Sequence, residues 1–116
     1  MHGPSTALRL TRQLSDTPLT EPHEPAPAGT YERVPVHRED AIEVVRVNWQ
    51  AGGDSPFHGH GDSAALCRVL SGRLEEERFV PSADGYAYER SILTTGDCMY
   101  LPPGSFHRIR ALEAAV

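Results

Sequence analysis

The chain has 116 residues, a formal net charge of -5 at pH 7, and eleven basic residues that are all Arg. That length allows one domain with a modest core, and the acidic balance argues against nonspecific nucleic-acid binding and against a membrane-surface role. No stretch near the N-terminus is apolar over the length a signal peptide or spanning helix needs, so a cytoplasmic protein is expected.

Residues 1–30 read as a polar, proline-rich arm. Pro18, Pro22, Pro25 and Pro27 break any regular element from Thr17 on. Before them, Ser5 to Leu14 has the pattern of a short helix, with Leu8 on the face that packs. From Tyr31 the pattern becomes β, and residues 31–116 read as a single domain. Ile42 to Trp49 is a Val- and Ile-rich strand. Ala65 to Leu70 and Arg73 to Val80 read as a hairpin about Ser71-Gly72. Pro81 to Gly85 is a turn, Tyr86 to Leu93 the returning strand, and Thr95-Gly96-Asp97 the next turn, followed by a short strand from Cys98 to Leu101.

Most chemistry-bearing side chains along this path have plain expectations. Glu75-Glu76-Glu77 reads as a solvated strand face, because alternation sends adjacent carboxylates to opposite sides. Asp97 reads as a turn residue, and His2, His23 and His37 as solvated. The two cysteines are too few to frame a disulfide fold; Cys98 is expected in the core, and Cys67, on the same strand face as Ala65, either in the core or lining a pocket.

Three other histidines stand apart. They lie in Gly52-x5-His58-x-His60-x4-Ala65-x6-Gly72 and Gly96-x5-Pro102-x-Gly104-x2-His107. On a strand His58 and His60 point the same way, with Gly59 between them. Joined by His107 from a distant strand, they make a facial set of nitrogen ligands for a divalent metal. The glycines and Pro102-Pro103-Gly104 supply the turns that bring the two segments together.

These two segments resemble the paired motifs of the cupin superfamily. The resemblance implies an all-β fold, a small jelly-roll-like β-barrel preceded by a short helix or coil. Ala65 stands where the superfamily's metal-binding Glu would be, and Ala111 where its final Asn would be. What remains is a three-histidine site.

Within that superfamily the chain resembles the cysteine dioxygenases from about Tyr31 to Ile109. The residues that carry the likeness are Tyr31-Glu32-Arg33, the run Trp49 to His60, Val69 to Glu76, and Phe106-His107-Arg108-Ile109. The resemblance implies Fe(II) held by His58, His60 and His107, with Arg33 pairing the substrate carboxylate through its planar fork and Tyr31 adding a hydroxyl nearby. Its implied reaction joins a small-molecule thiol, cysteine first, with O2 to give cysteine sulfinic acid. Three neutral imidazoles leave the metal's charge uncompensated, which suits a thiolate.

The family's last strand, with its Ser, His and Tyr, is expected to be missing, since Val116 is nine residues past His107. An incomplete barrel edge would invite pairing with a second copy as a homodimer. Two other functions fit the same motifs: a three-histidine cupin running another small-molecule oxidation, and a non-catalytic metal- or ligand-binding cupin.

Overall fold

The computed structural model describes residues 4–16, 29–39 and 42–116. One helix, α1 (Pro4–Asp16), is followed by eight strands: β1 (Tyr31–Glu39), β2 (Ile42–Trp49), β3 (His58–Gly59), β4 (Ala65–Arg68), β5 (Arg73–Ser82), β6 (Gly85–Thr94), β7 (Cys98–Leu101) and β8 (Phe106–Ala111). The expected helix is present and slightly longer at both ends; the side chain of Leu8, like His2 and His23, lies outside the described residues. No described helix is long and apolar enough to cross a membrane.

The described strands form three antiparallel sheets, ordered β3-β8-β5-β6, β1-β2 and β4-β7. The expected Ser71-Gly72 hairpin is not formed. β4 pairs with β7, and β5 pairs with β6 and β8. Gly72 turns the chain between two sheets instead of folding it back on itself. Its φ is +87°, and a Cβ there would run into Ala114 O and Ala115. Only glycine combines that backbone with so close a crossing. The β5–β6 hairpin does form, with its turn contracted to Ala83–Asp84 between the Ser82–Gly85 pair. Asp97 is the turn residue expected: its carboxylate accepts from Thr94 N at 2.7 Å and Thr94 Oγ1 at 3.2 Å.

The core gathers inward side chains from several strands, among them Trp49, Leu74, Leu93, Met99, Ile109 and Ala111. Burial of a side chain such as Ile109 stabilises by roughly 1.5–3 kcal/mol. It also fixes register, because a one-residue slip of β8 would turn Ile109, Ala111 and His107 outward together. Alternation on β7 buries Met99 and Leu101 and leaves Cys98 exposed, contrary to the expectation of a core thiol. His37 is half-buried, not solvated, and lies where the β1–β2 register shifts between Pro35 and His37.

At the C-terminal end, Trp49 N donates to Ala115 O at 2.7 Å and Ala115 N to Trp49 O at 3.0 Å. Val116 N donates to Ser71 O at 3.0 Å. These bonds draw the last residues between β2 and the turn that follows β4. Helix α1 packs over β4 and β2, completing one wall of an open cavity of about 560 Å³.

Candidate metal centre

The cavity floor is built by β3 and β8. His58 and His107 are direct register partners on these strands, so alternation places both rings on one face. Gly59 lets β3 lie close to β8, since a Cβ there would stand 3.0 Å from the Phe106 ring and from Ser105 O. Ser55 holds the same edge of β8 one step further along, its buried hydroxyl accepting Ile109 N at 3.0 Å. His60 follows β3 and turns into the same space.

The three rings converge through one nitrogen each. His58 Nε2 and His107 Nε2 are 3.2 Å apart, and His60 Nε2 and His107 Nε2 are 3.4 Å apart. Nitrogen ligands sit about 2.1 Å from a divalent metal, so two of them come about 3.0 Å apart at a right angle and about 3.4 Å apart at a tetrahedral angle. These two spacings fit ligands of one ion, and the ligand atoms of all three histidines lie within 4.8 Å of one another. The opposite ring nitrogens confirm the orientation: His58 Nδ1 is 2.9 Å from Pro56 O, and His107 Nδ1 is 2.9 Å from Glu76 Oε2. Each faces an oxygen and so donates, which leaves the Nε2 lone pairs for the metal. Burial lowers the pKa of His60, helped by the nearby charges of His107, His58 and Arg33, so the ring stays neutral as ligation requires.

The glutamate triplet departs from the solvated face expected of it. On β5, Leu74, Glu76 and Arg78 share the inner face, and Glu76 is only 1% exposed. Its carboxylate accepts His107 Nδ1 and two nitrogens of Arg78, Nε at 2.7 Å and a terminal nitrogen at 3.3 Å. Arg78 also donates to Tyr100 O at 2.8 Å, tying β5 to β7. Burial pushes the Glu76 pKa up, but the hydrogen bonds and charges of His107 and Arg78 outweigh it and hold the carboxyl below its usual range. Glu75 and Glu77 take the outer face. Glu75 is buried between Arg90 and Arg110, and Glu77 pairs with Arg108 at 3.1 Å and accepts the Tyr88 hydroxyl at 2.7 Å.

Tyr31 and Arg33 lie across the cavity on β1 and line it together with the three histidines. The Tyr31 ring packs on Trp49 with centroids 4.6 Å apart. Arg33 holds Glu43 at 3.3 Å, in a pair whose side chains are 59% and 40% exposed. Cys67 also lines the cavity, and burial, then the charge of Glu76, pushes its thiol up to about 11.

No family model matches the sequence, and no curated protein does. Solved structures do match. A Lactobacillus farciminis oxalate decarboxylase in a formate complex aligns with TM-score 0.59 and 21% identity over 82% of this chain and 28% of its own. The hydroquinone 1,2-dioxygenase PnpCD, in complex with Cd2+ and 4-hydroxybenzonitrile, gives 0.56 and 22% over 74% of this chain and 60% of its own. The Drosophila melanogaster CENP-C cupin domain gives 0.54 and 12% over 72% of this chain and 66% of its own. This chain thus spans well under the full length of the two enzyme chains. At these identities the likeness establishes the fold, which is the expected all-β cupin barrel with a short N-terminal helix, and says nothing of substrate.

Proposed function

We propose that this protein is an iron-dependent thiol dioxygenase that oxidises the sulfur of cysteine. The observation that supports this reading is a trio of convergent imidazoles, with no carboxylate among the donors, in a cavity that Arg33 also lines. Fe(II) bound to such a trio would supply thiol acidification and O2 activation. In balance, R–SH and O2 give R–SO2H: both oxygen atoms join sulfur, which loses four electrons that O2 gains.

The remaining work falls to the chain. Arg33 would hold the substrate carboxylate by charge-assisted hydrogen bonds. Its present partner Glu43 is displaceable, because an exposed pair of this kind contributes about 0–1 kcal/mol. Tyr31 would offer a hydroxyl from the same strand. Holding thiol and metal in one geometry is the principal contribution asked of the protein.

A second reading is favoured by cavity size. At about 560 Å³ it falls within the roughly 300–1,000 Å³ range of sites for larger ligands, and Val45, Val47, Leu66 and Met99 make much of its wall apolar. The same metal would then serve oxidation of a bulkier, apolar small molecule.

Oxygen uptake by the iron-loaded protein, measured with cysteine, 3-mercaptopropionate, cysteamine and substituted hydroquinones, separates these readings. Uptake with the carboxylate-bearing thiols, weakened selectively by Arg33→Ala, is the expected result. Uptake with hydroquinones alone would replace the first reading by the second. A protein that purifies with zinc and consumes no oxygen would point to a non-catalytic metal-binding cupin.

A further inference from the structure

We infer that Glu76, braced by Arg78, is a positioning residue for the metal centre: its carboxylate keeps the proton of His107 on Nδ1 and so keeps Nε2 aimed at the ion. The inference rests on the three-histidine site and not on the choice of thiol as substrate.

An ionised carboxylate in an apolar interior is strongly unfavourable unless it is paired and hydrogen-bonded. Glu76 meets both conditions, with both oxygens engaged by Arg78 and one shared with His107. A purely structural Glu–Arg pair would satisfy itself without the imidazole. Here the register places Arg78 directly opposite His107, and Glu76 reaches diagonally from the position opposite Ile109 to the ring. The carboxylate thus stands between a guanidinium and a histidine that must remain neutral to ligate.

Charge count sharpens the assignment. Glu76 and Arg78 together are neutral, so they orient His107 while bringing no net charge to the site. Orientation and charge compensation, which a direct carboxylate ligand would combine, are separated in this site. The ion's charge is left for an anionic ligand to balance.

The test uses the full chain labelled with 15N-histidine and free of metal. Long-range 1H–15N correlation spectra should show His107 as the Nδ1–H tautomer. An Nε2–H tautomer in the unsubstituted protein would overturn the inference without any variant being made. Glu76→Leu combined with Arg78→Met removes both buried charges together, and should shift His107 toward Nε2–H. Co(II) affinity, read by chelator competition, should fall in that double variant by roughly 10–100-fold, the usual loss when an outer hydrogen-bond partner is removed. Glu76→Gln keeps an acceptor for Nδ1, and should retain both the tautomer and most of the affinity. Unchanged Co(II) affinity and visible spectrum in the double variant would sink the role of Glu76. Absence of Co(II) binding to the unsubstituted protein would instead overturn the three-histidine reading, with the tautomer still deciding the inference about Glu76.

Discussion

His58 and His107 lie directly opposite one another on β3 and β8, each with Nδ1 2.9 Å from an oxygen and with their Nε2 atoms 3.2 Å apart. Both rings are gripped from behind, one by the Pro56 carbonyl and the other by Glu76. The donors are therefore set before any ion arrives, and little reorganisation opposes binding.

Acid should dismantle the metal-free fold in stages. His60 lies below its ordinary value of 6.5, and Glu76 below its ordinary 4.5. For both groups the unfolded chain binds a proton at a higher pH than the folded chain, so stability rises with pH across each window. The contribution of His60 is fully present above pH 6.5 and declines as the pH falls from there, while that of Glu76 is lost only below 4.5. Thermal melts between pH 7 and 3 should show an early decline followed by a steeper one. A Tm that stays level from pH 7 to 5 would contradict the His60 assignment, and one that stays level from pH 4.5 to 3 would contradict that of Glu76.

The two cysteines should differ in reactivity. Cys67 has its thiol pushed up to about 11 by burial, whereas Cys98 is exposed. Alkylation proceeds through the thiolate, which a buried thiol near 11 scarcely forms at neutral pH. Timed iodoacetamide labelling with peptide mass spectrometry should find the exposed Cys98 modified well before Cys67. Equal rates would show that Cys67 is not shielded.

Gly72→Ala should be far more damaging than Gly96→Ala. Both positions have positive φ, +87° and +91°, yet only Gly72 would drive its new Cβ into Ala114 and Ala115. Backbone strain alone is of order 1–3 kcal/mol and applies to both. Chemical denaturation should show Gly96→Ala losing about that amount and Gly72→Ala losing more. Matching losses would mean that the C-terminal segment yields at no cost.

The clustering of His58, His60 and His107 is legible in the sequence because its evidence is local: short spacings, turn glycines and strand alternation. Glu76 is not legible, for a physical reason. Alternation correctly separates Glu76 from Glu75 and Glu77, but which face is interior depends on β5 lying beside β8, a pairing more than thirty residues apart. The one available signal is the set Leu74, Glu76 and Arg78 at i, i+2 and i+4, a buried leucine sharing its face with an acid and a base. The false hairpin at Ser71-Gly72 has the same origin. A glycine turn between two β-runs looks alike whether the strands pair with each other or with distant partners, and here β4 finds Cys98–Leu101 instead. Cys98 is misplaced because a four-residue strand of apolar type does not announce which alternate positions turn outward.

The β1–β2 ribbon carries Arg33 but shares no ladder with the strands that hold the imidazoles. Two backbone bonds between Trp49 and Ala115 join the ribbon to the C-terminal segment instead. Arg33 and the clustered histidines thus stand on separately hydrogen-bonded sheets, and a substitution on the ribbon touches no backbone bond of the strands beneath the imidazoles.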